Sequence, residues 1–399
     1  MKKIITTTLG LLITLSIYAQ TWTALTSGTS NHLLGVSVVN SNTCYVCGNA
    51  GKVLKTNNSG ATWVSQTSGT TENLYSICFT DSLHGVAVGD AGTMIKTANG
   101  GATWTNVSTT SDALRNISFY NSTVGFAVGG ATGTYGSIFK TTDGGNTWNQ
   151  QSIASNNVIY SVKFTSLTVG YCCDGTGAIF KTINGGTNWT LLTNGTTSTP
   201  FLMDFSNATN GVIVGNTGTI VRTTNSGALW STIASGTTDL LCGLKFIDSN
   251  NGFAVGGNVG ANTGNILKTT DGGNTWLMNN PSTSLLYRVD FANANIGYAV
   301  GFDGTILKYT SNVGIEDQVK NNGVNIYPNP FFSQTTITFN EEQKYAVVKI
   351  IDMFGKEVKI INFTGKQLVI EKGEMKAGIY VVQTTNGNNY ISNNKIIIQ

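Results

Sequence analysis

The chain has 399 residues, of which 23 are Lys or Arg and 20 are Asp or Glu, so 11% carry charge, under half of the roughly 25% usual in soluble domains. A formal net charge of +3 with no basic run excludes a nucleic-acid binder, which needs a clustered positive face. Two His, three Arg and six scattered Cys are too few for a His-rich metal site or for Arg-clamp chemistry, so neither a metal nor a cofactor is expected.

The first segment is an address rather than fold. Lys2 and Lys3 precede an apolar stretch from Ile4 to Ile17, and Ala19 supplies a small residue before Gln20. This is the pattern of a secretory signal, residues 1–19, cut after Ala19. The stretch is too short to span a membrane, and no later run reaches about 18 apolar residues, so no transmembrane segment is expected.

From Gln20 onward the chain repeats. The seven Trp stand at 22, 63, 104, 148, 189, 230 and 276, at spacings of 41 to 46 residues. Upstream of six of them runs one phrase, for example Gly89 to Trp104. Each period holds four short β-type runs between turn residues, in the second unit Leu74–Phe79, 86–89, 93–97 and 103–107. Four strands per unit of about 41 residues is the size of a propeller blade. The last Gly-x-x-Gly phrase, Gly301 to Lys308, has no Trp after it, and Trp22 has no phrase before it. The N-terminal run 21–25 is therefore expected to complete blade seven and close the ring, removing two sheet edges.

Asn58, Asn99, Asp143, Asn184, Asn225 and Asp271 share one slot in the turn between strands three and four, where a side-chain oxygen can accept local backbone N–H groups. With the Thr two residues earlier and the Trp that follows, this slot resembles the Asp-box or BNR repeat. Gly125-Phe126-Ala127-Val128-Gly129 and Gly297-Tyr298-Ala299-Val300-Gly301 are similar to strands of the photosystem II assembly-factor propellers. The resemblance covers residues 20–312 and implies an all-β, seven-bladed propeller. It does not fix a function, because Asp-box propellers include sialidases, glucanases, sorting receptors and scaffolds.

Residues 20–312 hold 12 basic and 12 acidic side chains. Lys55, Lys96, Lys140, Lys181, Arg222, Lys268 and Lys308 fill one strand-three slot, a repetition that indicates structure rather than a single site. A strand-one slot reads Ser37, Cys78, Ser118, Lys163, Asp204, Lys245, Asp290 around the ring, and its alternating charges predict ion pairs between neighbouring blades at the channel. The remaining charges gather on the face opposite the Asp boxes. Glu72, Asp112 and Asp239 lie in strand four-to-one loops, and Asp90, Asp174 and Asp303 in strand two-to-three loops. Beside them, at the start of strand one, stand Tyr75, Arg115, Tyr160, Tyr287 and Arg288. Insertions at 130–137 and 257–265 fall on the same face. Aromatic rings with a few polar groups suit a glycan or peptide ligand. A glycosidase needs two carboxylates roughly 5–9.5 Å apart, for which Asp90, Asp174 and Asp303 are the available set. His84 is expected in a turn, His32 at a solvated loop end, and the six Cys as small buried residues.

After 312 the composition changes. Residues 313–399 carry 17 charges and no Trp. A polar linker, 313–324, precedes β-type runs at 335–339, 346–352, 355–357, 367–370, 377–382 and 394–399, the pattern of a small antiparallel sandwich. Tyr327-Pro328-Asn329-Pro330, the turn at Asp352 to Lys356, Gly378-Ile379-Tyr380 and the ending from Lys395 resemble the type A C-terminal sorting domain of the type IX (Por) secretion system. The resemblance spans residues 325–399. It implies passage through the type IX translocon, removal of the tail by a sortase-like peptidase, and release or attachment to surface lipopolysaccharide. The expectation is a secreted or surface-displayed, non-catalytic binding or adhesion scaffold, with a propeller glycoside hydrolase as the alternative.

Overall fold

The structure, a computed structural model, describes residues 20–192, 198–278, 284–311, 324–352, 355–386 and 389–399. The expected signal at 1–19 and linker residues 313–323 lie outside the described residues. The chain forms two compact units, one ending at Ser311 and the other beginning at Asn312.

The first unit is a ring of seven four-stranded antiparallel sheets. Blade two shows the pattern, with strands Leu74–Phe79, Gly85–Gly89, Met94–Thr97 and Thr105–Asn106. Its second strand is buried throughout, which is why it reads as an unbroken apolar run. Its outermost strand is exposed and polar, as an unpaired edge requires. Blade seven is completed as the repeat count predicts: Gln20–Leu25 pairs antiparallel with Ile306–Ser311, placing Trp22 opposite Tyr309.

The hydrophobic cores lie between blades. Trp104, for instance, packs with Tyr45 and Val53 of blade one and Leu74, Ile77 and Ile95 of blade two, and its ring meets Phe79 edge-on at 6.0 Å. The other six Trp each pack against a different one of the remaining inter-blade cores. A single large ring per interface, meeting an aromatic edge-on, explains the strict Trp period.

Strand-three cations strap blades to their neighbours. Lys55 donates to the Gly100 carbonyl at 2.8 Å, Lys140 to Gly185 at 2.8 Å, Lys181 to Ser226 at 2.7 Å, and Arg222 to Gly272 at 2.8 Å. Lys308 of blade seven reaches the Ser59 carbonyl of blade one at 2.9 Å, continuing the straps across the closure.

Within each Asp box the turn is built from side-chain acceptors. Asp143 Oδ1 accepts the backbone N–H groups of Asn146 and Thr147 at 3.0 Å each, and Oδ2 accepts the Thr147 hydroxyl at 2.7 Å. The Thr147 amide and hydroxyl hold the Asp143 carboxyl down to about 2. At Asp271 partial burial opposes the shift, but the Thr275 hydroxyl and amide still hold the carboxyl down to about 2. A depressed folded-state pKa contributes stability that is present above the unfolded carboxylate range and lost as pH falls toward 2. Because four other boxes carry Asn, the double variant Asp143→Asn and Asp271→Asn should fold normally. Its melting temperature should fall less steeply than wild type between about pH 4 and pH 2, as a thermal melt series reads directly.

The second unit is one hydrogen-bonded sheet of five strands, Val324–Tyr327, Gln334–Asp352, Glu357–Glu371, Gly378–Asn386 and Asn389–Ile398. Runs expected as separate strands at 335–339 and 346–352 are one continuous strand, bent by register shifts between Thr338 and Ala346. The bend brings Ile337 and Phe339 from one half and Val348 and Ile350 from the other into a common core with Ile370, Val382, Ile396 and Ile398. In the Tyr-Pro-Asn-Pro segment, Asn329 Nδ2 donates to the Lys395 carbonyl at 2.7 Å and its Oδ1 accepts the Ile397 amide at 2.8 Å. The motif thus pins the final strand. Tyr327 is exposed, and Gly378 opens the strand that faces Ile398.

Candidate functional site

Strand one of every blade faces the axis of the ring, and together these strands enclose a channel cavity of about 210 Å³. The predicted charge alternation is realised as two inter-blade ion pairs, Lys163 Nζ to Asp204 Oδ1 at 2.9 Å and Lys245 Nζ to Asp290 Oδ1 at 2.8 Å. The same slot also hydrogen-bonds the next blade. Asp204 Oδ2 accepts the Phe246 amide at 2.8 Å, Ser37 Oγ accepts the Phe79 amide at 3.0 Å, and Asp290 Oδ2 accepts the Val38 amide at 2.8 Å across the ring closure. Burial opposes ionisation of Asp204, but Lys163 and Lys245 overcome it and hold the carboxyl below its usual range. Asp290 pushes the Lys245 ammonium well above its usual range despite burial.

At one mouth of the channel lies an aromatic and cationic collar. A bulge interrupts the pairing of strand one between Leu74 and Ser76 and at the equivalent point of other blades, and the collar residues occupy the extra position. Tyr75 donates its hydroxyl to Asp90 Oδ2 at 2.8 Å, Arg115 Nη1 lies 3.6 Å from Asp90 Oδ1, and the Arg115 guanidinium sits 4.4 Å from the Tyr75 ring centre. Burial first, then the hydrogen bond to Asp90, pushes the Tyr75 phenol up. Tyr160 packs on Phe201 at 5.2 Å, and Tyr287 stacks on Phe302 at 6.0 Å. Phe302 in turn stacks on His32 at 4.0 Å, and His32 Nδ1 accepts the Asp303 amide at 3.1 Å.

His32 stands part-exposed at its loop end and also stacks on the collar; ring closure brings residue 32 beside residue 302, which no local pattern can show. Phe201 and Phe302 were likewise missed. Phe201 could have been found from its slot, which Tyr75, Arg115, Tyr160 and Tyr287 share.

The candidate carboxylates fall on three successive positions of the strand two-to-three loop. Asp174 ends its strand, buried, with Oδ2 on the Ser155 hydroxyl at 2.7 Å and Oδ1 accepting the Thr176 and Ala178 amides. Asp90 opens a one-turn 3-10 helix, Asp90–Gly92. Asp303 is one position further on, with φ of 53°, the left-handed conformation that the equivalent Ala91 also adopts. Its Oδ2 accepts Asn262 Nδ2 at 2.7 Å. Gly92 follows Ala91, and a Cβ there would lie 1.8 Å from the Thr110 carbonyl oxygen, so only glycine fits.

Asp112 and Asp239 hold the two insertions, which are extensions of the strand two–three hairpins, pairing Ala131 with Tyr135 and Asn258 with Thr263. Asp112 accepts the Tyr135 hydroxyl at 2.7 Å and also the Ser137 hydroxyl. Asp239 accepts Asn258 Nδ2 at 3.1 Å and Asn265 Nδ2 at 2.7 Å. Glu72 is exposed. Arg288 points into the channel, where it lines the cavity.

Among the described residues no group of three or more His, Cys, Asp or Glu is placed to hold a metal ion. The six Cys are free thiols, five of them buried, and burial pushes the Cys242 thiol up to about 12, which leaves it un-ionised and unreactive at neutral pH. His84 sits in a turn capped by Asp81, whose Oδ1 accepts the His84 amide at 2.8 Å while the His84 Nδ1 lies 2.9 Å from its Oδ2. No helix of the described residues is long and apolar enough to cross a membrane.

A search of curated proteins gives no match. Among solved structures, YCF48 bound to D1 peptide aligns with a TM-score of 0.59 at 20% identity, covering 72% of this chain and 94% of that one. YCF48 from Cyanidioschyzon merolae aligns at 0.58 and 20% identity, over 72% and 98%. The Niastella koreensis GH74 enzyme aligns at 0.58 and 15% identity, over 95% of this chain and 74% of that one. At these identities the likeness shows the fold. The profile described as secretion system C-terminal sorting domain matches residues 325–399, which directs the protein through type IX secretion to the cell surface or extracellular space. The profile described as photosynthesis system II assembly factor YCF48 matches residues 15–109, 65–198 and 102–239, and with seven four-stranded blades closed by Gln20–Leu25 the chain belongs to that family of propellers.

Proposed function

We propose that the mature protein is a binding or adhesion module whose ligand, a glycan or peptide, seats on the collar formed by Tyr75, Arg115, Tyr160, Phe201, Tyr287 and Phe302. The observation that carries this reading is the Tyr75–Asp90–Arg115 cluster, in which the guanidinium covers one aromatic face while the hydroxyl is fixed by the carboxylate. Rigid rings with oriented polar tips are what ligand sites use. One structural neighbour is a YCF48 propeller bound to a peptide, which supports the peptide form of the reading. Residues 1–19 direct the chain out of the cytoplasm and are removed in that passage. At the surface, a sortase-like peptidase removes 325–399, and the propeller is released or attached to lipopolysaccharide.

A hydrolase remains the second reading because one neighbour is a GH74 enzyme. Asp90, Asp174 and Asp303 would then supply the carboxylates, although each already holds local hydrogen bonds. Glycan and peptide arrays, run beside chromogenic glycosides, separate the two. Retention of specific ligands without turnover supports the module. Turnover abolished by Asp90→Asn or Asp174→Asn overturns it, and a blank on every panel points to a purely structural surface protein.

A further inference from the structure

The channel lining holds three cations, Lys163, Lys245 and Arg288, against two carboxylates, Asp204 and Asp290. Both carboxylates are committed, each with one oxygen on a lysine and the other on a backbone amide. Arg288 is the cation left over. In the other six blades its slot holds Gly35, Ser76, Asn116, Ser161, Leu202 and Gly243, so its charge is no part of the repeat.

The guanidinium is fixed. Its Nη1 donates to the Cys242 carbonyl and, at 3.0 Å, to the Tyr287 carbonyl, and the group lies 5.7 Å from the Tyr287 ring centre. Among the described residues it forms no ion pair with a carboxylate. Burial draws its pKa down, yet an arginine stays charged at neutral pH. A part-buried cation without a counterion attracts an anion to its channel.

We propose that the channel is an anion site in which Arg288 receives a carboxylate. One uncompensated charge calls for a monoanion, and the planar guanidinium fork matches a carboxylate in two parallel hydrogen bonds. The cavity, about 210 Å³, has the volume of about seven waters at ~30 Å³ each. That accommodates a carboxylate on a short carbon stem and is small for a string of sugar rings. The carboxylate can belong to a free small acid or to the C-terminus of a peptide entering past Tyr75 and Tyr287. The peptide source rests on the binding reading of the collar, whereas the free-acid source stands on the channel alone.

Thermal melts of the full chain in acetate and in acetamide, at matched ionic strength, test the site. Acetate should raise the melting temperature saturably and acetamide should not, with the difference lost in Arg288→Met. The same acetate effect in Arg288→Met, or none in wild type, overturns the proposal. Should Arg288→Met fail to fold, crystals of the wild-type chain soaked in 3-bromobenzoate, whose aryl bromide does not alkylate the Cys78 thiol of the channel, decide. A bromine anomalous peak in the channel beside Arg288 supports the site, and its absence there overturns it. Calorimetry with Ala-Ala-Tyr as free acid and as amide then distinguishes the sources. Roughly tenfold tighter binding of the acid, weakened in Tyr75→Ala, identifies a peptide terminus. No preference for the acid, with the acetate effect intact, identifies a free small acid, and leaves the collar to be judged by the arrays.

Discussion

Replacing Asp204 by lysine will lower the melting temperature of the propeller by about 10 °C, the shift that the ~3–5 kcal/mol loss of a buried charge partner gives for a domain of this size. Asp204 is enclosed between blades and meets Lys163 at 2.9 Å, and its second oxygen accepts the Phe246 amide. The substitution removes both contacts and sets a third ammonium among Lys163 and Lys245, where no water shell of bulk size can screen it. Adding Lys163→Asp or Lys245→Asp should recover part of the loss, because one opposite-charge contact returns while the amide cap does not. Thermal melts of wild type, Asp204→Lys, the single Lys163→Asp or Lys245→Asp variant and the double variant form a double-mutant cycle. A coupling of about 1 kcal/mol or more is expected. Simple additivity would show that the charge alternation plays no part in ordering the blades.

Deleting residues 325–399 will abolish export and leave the propeller in the periplasm. The second unit has its own core around Ile337, Val348, Ile350 and Ile396, so its removal takes away the sorting domain as a whole. The propeller core is built within its own seven inter-blade clusters. The truncated protein should therefore accumulate folded, with a melting temperature unchanged from the mature propeller, while the signal in the extracellular fraction falls to background. Immunoblots of periplasmic and extracellular fractions measure both. Normal export of the truncation would contradict the address assigned to the tail.

The ring was legible because its determinants are local and repeated. Trp spacing, Gly-rich turns and the Thr-x-Asn/Asp slot each recur at a fixed period, and even the closure by Gln20–Leu25 follows from an unmatched Trp22. The charge alternation at Lys163, Asp204, Lys245 and Asp290 was legible for the same reason, since blade register puts one slot on one ring. What escaped depends on contacts made only by closure or by exact loop register. His32 reaches Phe302 across the first and last blades. Asp90, Asp174 and Asp303 share a loop but stand on three different positions of it, so their side chains meet different partners. Arg288 follows Tyr287, and the bulge at the start of strand one lets its guanidinium both line the channel and lie 5.7 Å from the Tyr287 ring centre. In the tail, the bend within Gln334–Asp352 hides one strand as two, because the polar run at its centre resembles a loop.

The most direct test of a binding propeller is an equilibrium titration of the array-identified ligand against wild type, Tyr75→Ala and Tyr160→Ala, each checked for an unchanged melting temperature. Truncating an aromatic anchor in a collar of this kind costs about 2 kcal/mol, so affinity should fall roughly thirtyfold in each variant without any turnover of ligand. Unchanged affinity in both variants, or ligand consumed by wild type and spared by Asp90→Asn, would contradict it.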